Sequence, residues 1–510
     1  MIADLVLGRG RIYTLGRAGL RPVSYLAVKA GVVIAAGGGE VMGLRGPRTT
    51  VLELDGRTVL PGFNDAHAHV VYNGLSSFGV ELGGCRSVAQ IQRRIAARVR
   101  GLADGEWCQG AGFSHLELVE RRHPTRQELD AVTGGRPAFI DERGGHLRVA
   151  NSAALAAAGL GRASEDPAGG SLGRDAEGEL DGILYESAMR LVADHQPPPS
   201  LTRRKQAVLR TQRLLLSRGI TSVGAAVNRG FADDLRAYQQ LLDEGRLRMR
   251  VNQFLSWELL PAARRLGLSS GAGSDRLRAG PIKVFVDGGL STDAAAMRSG
   301  GGVWRTRPDE LREMLREAEA GRLQVAAHAI GDAAIEAMAD AVEAAGGAGH
   351  RHRVEHCAFC PPDLRERLGR LGMVAVMQPL GLRFKADWRA RFGDALSANL
   401  LCHRDLARAG VRVAFSSDLP VSPDPDPWPG LELSVTDRDQ GLSVLAALRA
   451  YTEAGAYTSF EEWRKGTLEL GRQADFQVLD QDPIADPPAS WPKLRPRLVA
   501  VAGKAAFRPG

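Results

Sequence analysis

The sequence predicts an α/β protein: a (β/α)8 TIM barrel, a small composite β-sandwich domain built from both chain ends, and an insertion after barrel strand one. Three observations predict it. Between residues 201 and 418, short apolar segments alternate with helical segments, the rhythm of βα units and a parallel sheet. Adding the apolar run that leads into His67 brings the strands to eight, the count of a closed barrel. Glycine-punctuated, strand-like segments lie on both sides of that rhythm. Residues 1–57 and 464–510 are therefore assigned to the β domain, and 58–463 to the barrel, with the insertion over about 70–200.

The elements follow in order. Residues 3–7, 11–15, 25–28 and 31–35 run apolar or alternate, with Gly8, Gly10, Gly31 and residues 37–39 as turns. No strand–loop–helix pattern of the dinucleotide kind follows these glycines, which argues against a nucleotide cofactor. Residues 58–69 are apolar, break at Pro61 and Gly62, and end in Asp65, His67 and His69. Within the insertion, 87–101 reads as an amphipathic helix, 106–112 and 137–141 as strands, and 150–159 as an alanine-rich helix closed by Gly159. Residues 167–181, rich in glycine and acids, read as a mobile loop. The barrel rhythm then runs through strands at 219–225, 248–255, 281–287, 323–329, 352–356, 373–378 and 411–418. Helices are expected at 201–218, 231–244, 308–320, 332–345, 362–371 and 404–409. Strand character returns at 468–480 and 498–503, where it can pair with residues 1–57.

Composition narrows the function. Of the 510 residues, 44% are apolar and 25% charged, the balance of a soluble globular protein, and no apolar run is long enough to cross a bilayer. The first residues lack the pattern of a signal peptide, so a cytoplasmic location is expected. The net charge of +7 is spread over helices also rich in acids, without a dense basic block, which argues against nucleic acid as partner. Cys85, Cys108, Cys357, Cys360 and Cys402 are odd in number and scattered, so they form no disulfide framework. The CxxC of Cys357 and Cys360 has no second copy and reads as two reduced thiols. The sequence leaves a homo-oligomer open.

The chemistry is expected at the C-terminal ends of the strands, where barrel active sites form. In extended chain, residues two apart share a face, so His67 and His69 point the same way. Strand four carries Lys283, strand five ends at His328, strand six at His356 and strand eight at Asp418. Nitrogen and oxygen donors from five strand ends would thus converge on one axis, a set suited to a divalent metal, with zinc favoured by the imidazoles. Lys283 shares a face with Phe285 and Asp287; an ammonium buried there needs compensation. A salt bridge to an acid such as Asp287, or carboxylation by CO2 to an anionic bridge between two metals, would each supply it. His115, His123, His195, His350 and His403 read as solvated or capping residues.

These stretches carry a resemblance. The segments around Pro61 to His69, Gly219 to Val223, Ile282 to Gly288, His328 to Asp332, His352 to His356, Ser417 to Val421 and Gly471 to Phe476 resemble the amidohydrolase superfamily. They are most similar to its amidohydrolase-3 branch, which includes N-substituted formamide deformylase. The resemblance covers nearly the whole chain. It implies a metal-dependent hydrolase acting on a C–N bond of a small-molecule amide, with His67, His69, His328, His356 and Asp418 as ligands of zinc or a similar metal. It further implies Lys283 as a carboxylated bridge, Asp418 as general base and acid, and His146, in the insertion, as a substrate contact. Gly224 and Ala225 depart from the His-Asp pair often found there, which leaves the substrate open. Deamination or cyclic-amide hydrolysis on the same scaffold, or a barrel that only binds a small molecule, are the alternatives.

Overall fold

The computed structural model describes residues 1–142, 147–167, 170–227, 231–290, 294–422 and 424–509. Two compact units make up the chain: Met1–Asn73 with Lys205–Gly510, and Gly74–Arg204.

In the first unit, eight parallel strands form the barrel: β1 Phe63–Ala68, β2 Ile220–Ala225, β3 Arg250–Ser256, β4 Leu277–Phe285, β5 Val325–Ala329, β6 Arg353–His356, β7 Val374–Met377 and β8 Arg412–Phe415. They neighbour one another in sequence order from β1 to β8. The seam between the last strand and the first is drawn shut just beyond β8. There Asp418 N donates to His67 O at 2.9 Å and His69 N to Leu419 O at 2.7 Å. The Asp65 carboxylate adds two bonds across the seam, from Ser417 N at 3.0 Å and Ser417 Oγ at 2.5 Å. Helices Leu201–Ser217, Phe231–Asp243, Pro308–Ala320, Asp332–Ala344, Pro362–Arg370 and His403–Arg408 lie between strands, as the spacing predicts.

Three details differ from the sequence reading. The apolar run 58–68 is two strands rather than one, because Pro61 and Gly62 break it. Thr58–Pro61 pairs with Leu5–Ile12 and Phe476–Leu479, and only Phe63–Ala68 enters the barrel. The fourth strand starts at Leu277, and Pro281, which cannot donate to the ladder, sits where its register against β3 slips between Gln253 and Leu255. Helix Lys385–Ser397, interrupted at Gly393 with φ +77°, and helix Pro427–Thr436 follow the seventh and eighth strands, where no regular apolar period marks them.

Strands from both chain ends share one sheet, ordered Lys504–Phe507, Pro496–Val501, Phe476–Leu479, Thr58–Pro61, Leu5–Ile12, Val23–Lys29, Val32–Gly37, with Thr50–Glu53 also beside Leu5–Ile12. Alternation gives it two apolar faces: Leu7, Leu26, Val28 and Phe476 pack on one, Val6, Ala27 and Val41 on the other. A buried two-pronged ion pair, Arg250 Nε to Asp475 Oδ2 at 2.6 Å and Nη2 to Oδ1 at 2.9 Å, ties β3 to this sheet.

The second unit holds a six-stranded sheet ordered Gly170–Arg174, Leu180–Glu186, Leu147–Ala150, Ala138–Glu142, Cys108–Phe113, Val80–Glu81. The segment read as a mobile loop is instead mostly a hairpin. Leu172, Leu180 and Leu184 turn inward and are buried, while the glycines and acids occupy the turn. All five cysteines are free and buried, and no helix among the described residues is long and apolar enough to cross a membrane.

Candidate active site

The strand period of two puts Asp65 and His67 on the inner face of β1, and both are buried. His69 follows on the same side. The Nε2 atoms of His67 and His69 flank one carboxylate oxygen, Asp418 Oδ1, at 3.5 and 3.4 Å. From β6, His356 brings Nδ1 to 4.0 Å from Asp418 Oδ2, and its ring lies 5.5 Å from that of His67. From β5, the His328 ring lies 4.5 Å from that of His356. Lys283 is fully buried at the same mouth, where the charges of Glu355 and Asp418 act on it. Six of the residues singled out by sequence therefore gather on one axis. The seventh, His146, lies outside the described residues.

Two of these side chains arrive by a local twist. Arg353, Glu355 and then 357 would share the inner face of β6, which leaves His356 pointing out among the helices, as His352 does. His352 indeed faces outward, accepting a bond from Val325 N at 3.0 Å and pairing with Glu319. His356 instead has φ +73° and Cys357 φ +45°, and this left-handed turn swings the imidazole over the barrel mouth. Asp418 does the same at φ +54°.

Partners invisible as motifs hold the site. Glu355 Oε2 lies 2.5 Å from His67 Nδ1, while Arg353 grips Glu355 at 2.7 and 2.9 Å and donates to Ala66 O. His356 Nδ1 meets Gln378 Oε1 at 2.9 Å, and Gln378 in turn donates to Ser416 Oγ. The signal for the first group was present: an Arg and a Glu two apart in a central barrel strand must both face the interior, and can do so only as a pair. Phe254 packs edge-on to His67 at 5.6 Å. It also bears on Gly224, where a Cβ would lie 3.1 Å from the Phe254 ring and 2.1 Å from Ala66 O. The departure at Gly224 thus gives an apolar wall instead of a polar group.

Asp287 does not pair with Lys283. Its carboxylate takes the N–H groups of Ala296, Ile330 and Gly331 at 2.8–3.3 Å. Among the described residues, Lys283 Nζ has no hydrogen-bond partner and stands only 4.7 Å above the Phe285 ring.

Burial sets the protonation states. It pushes His67 down to about 3, aided by Lys283, and carries His328 and His356 below their ordinary value as well. The imidazoles are therefore neutral, with lone pairs to give. Burial alone would raise Asp418, but the adjoining His69, His356 and His67 hold it below the usual carboxylate range. Burial also lowers Lys283 to about 8, against the pull of Glu355 and Asp418.

The donor set fits a divalent ion. Asp418 Oδ1 is buried between two imidazole nitrogens too distant for good hydrogen bonds and has no hydrogen-bond partner among the described residues. His67, His69 and Asp418 offer one ligand atom each, all within 4.8 Å of one another. His328, His356 and Lys283 stand beside them. Glu355 fixes His67 so that Nε2 is the free nitrogen, the usual way a carboxylate orients an imidazole ligand.

Sequence comparison agrees with this arrangement. The amidohydrolase family profile matches residues 50–507. The N-substituted formamide deformylase of Arthrobacter pascens is 28% identical over 481 residues, 87% of each chain. Protein LONG AFTER FAR-RED 3 of Arabidopsis thaliana is 28% identical over 94% of this chain and 87% of its own. The crystal structure of an uncharacterized metal-dependent hydrolase from Pyrococcus furiosus superposes with a TM-score of 0.82 at 29% identity, over 94% of this chain and 99% of that one. With its matched span and its barrel-mouth cluster, this chain belongs to the amidohydrolase family.

Proposed function

We propose that the protein is a metal-dependent hydrolase that cleaves the C–N bond of a small amide or formamide. The observation that carries this is the Asp418 carboxylate between the Nε2 atoms of two imidazoles, His67 and His69, at 3.5 and 3.4 Å. The similarity to a formamide deformylase supports the bond type.

His67, His69, His328, His356 and Asp418 would hold one or two divalent ions, zinc suiting so nitrogen-rich a set. When bound, such an ion lowers the pKa of water and polarises a carbonyl oxygen. Asp418 accepts the proton of the attacking water at a carboxylate oxygen and passes it to the departing amine nitrogen, acting first as base and then as acid. Its low proton affinity keeps it ionised and ready, and ties proton transfer to the attack itself. Glu355 and Arg353 keep the His67 imidazole in one orientation through the cycle. Gln378 does the same for His356. Phe254, beside Gly224, keeps that wall of the site dry.

Lys283 supports a carboxylated form. A buried amine with no hydrogen-bond partner among the described residues is costly as an ammonium, and its conversion to a carbamate would place an anion beside the side chains that would hold the metal. A count of two ions per chain favours this form, and a count of one favours a deaminase-like site.

The test is a screen of N-formyl and N-acyl amines with zinc-loaded protein, with metal content measured on the same sample. Turnover that disappears in Asp418→Asn is expected. Undiminished turnover of a hydrolysed amide by that variant would overturn the mechanism.

A further inference from the structure

We propose that the unit Gly74–Arg204 carries a second divalent-metal site, formed by His115, His123 and Glu142 and independent of the barrel cluster. Strands Cys108–Phe113 and Ala138–Glu142 are parallel neighbours, with Phe113 opposite Glu142. Glu142 therefore ends one strand where the chain leaves the other into the short turn His115–Glu117. His123 comes from the approach to helix Arg126–Thr133. A capping box fixes that approach: Glu128 N donates to Thr125 Oγ1 at 3.2 Å and Thr125 N to Glu128 Oε2 at 2.8 Å. Arg122 holds the same Glu128 at 2.7 Å. Three separate segments thus deliver two imidazoles and a carboxylate to one point.

The three ligand atoms lie within 4.8 Å of one another. His115 Nδ1 contacts Glu142 Oε1, His123 Nδ1 stands 3.9 Å from that same oxygen, and the two rings are 4.3 Å apart. One histidine–glutamate hydrogen bond would account for His115 alone. It leaves His123 Nδ1 buried with no hydrogen-bond partner among the described residues, at a distance from Glu142 too long for one. That separation suits ligands of a common ion: donors about 2.1 Å from a tetrahedral metal stand roughly 3.4 Å apart. Burial and the neighbouring His115 also keep the His123 ring neutral, the form that binds metal. Two imidazoles and one carboxylate leave open positions and suit zinc, cobalt or nickel better than calcium or magnesium. A bound ion would pin the turn and the helix approach to the strand end.

Full-length protein carrying His67→Ala and His69→Ala, stripped with chelator and titrated with zinc chloride, is expected to bind one equivalent at micromolar or tighter affinity. Adding His123→Ala should weaken that binding at least 100-fold. Absence of zinc uptake in the first protein, or unchanged uptake in the second, would overturn the proposal. Should the barrel variant not fold, wild-type crystals soaked in zinc chloride give the same answer at the zinc edge. An anomalous peak bounded by His115, His123 and Glu142 supports the site, and an empty position there rejects it. Neither outcome depends on the amide-hydrolase reading.

Discussion

The Glu355 carboxylate and the His67 imidazole meet at 2.5 Å beneath the barrel mouth, and Arg353 closes on the carboxylate from the other side. Exposure of all three side chains is 1% or less. The relationship makes Glu355 the residue through which the barrel interior orients the His67 imidazole at its rim.

Glu355→Gln should weaken metal binding by about 10–100-fold, the usual effect of losing such a partner. It also leaves the Arg353 guanidinium without its counter-charge, so the thermal midpoint should fall; breaking a buried pair costs about 3–5 kcal/mol. Chelator competition read alongside thermal unfolding separates the two effects.

Replacing Asp65 by alanine removes the acceptor for both Ser417 N and Ser417 Oγ across the seam. With His67 N, which also donates to Asp65 Oδ1 at 3.2 Å, three buried donors are stranded, and a loss of about 3 kcal/mol or more is expected. Because the seam positions Asp418 one residue on, hydrolysis should fall more than stability does. A melting curve and an activity assay on one preparation check this.

Lys283→Met retains the buried aliphatic stem and removes the amine. Such a chain should fold at least as stably as the wild type, since its ammonium has no hydrogen-bond partner among the described residues, yet lose most of its turnover. Growth with 13C-bicarbonate should give a carbamate carbon signal in the wild type that is absent from the variant. A variant with full activity would remove Lys283 from the site.

His403 supplies a pH effect away from the site. Expected in sequence as a solvated or capping residue, it is fully buried against Phe415, and neither ring nitrogen has a hydrogen-bond partner among the described residues. Burial depresses it to about 4 from an ordinary 6.5. Between those values the unfolded chain binds a proton that the folded chain does not. Stability is therefore whole above about pH 6.5 and declines as pH falls toward 4, by about 3 kcal/mol in all. In urea unfolding at a series of pH values, His403→Leu should flatten that part of the profile.

The barrel and the side chains gathered at its mouth were legible because each strand end is a local event: an apolar run followed by His67, His328, His356 or Asp418. What escaped was set by contacts distant in sequence or by backbone twist. His356 belongs by parity with His352 on the outer face, and only its positive φ brings it inward. Gln378 and Phe254 matter through what they touch, and no short pattern announces that. The hairpin Gly170–Glu186 was hidden because its glycines and acids mark the turn, while three leucines carry the packing. His115 and His123 looked solvated because Glu142, beside which both stand, lies 27 and 19 residues further along the chain.

The shared sheet has a consequence for the order of assembly. Thr58–Pro61 lies between Leu5–Ile12 and Phe476–Leu479, so one flank of this strand stays bare while the whole barrel is being translated. A nascent chain must keep that edge from pairing elsewhere for more than four hundred residues of synthesis. Strands made after the barrel are therefore the ones that cover this edge.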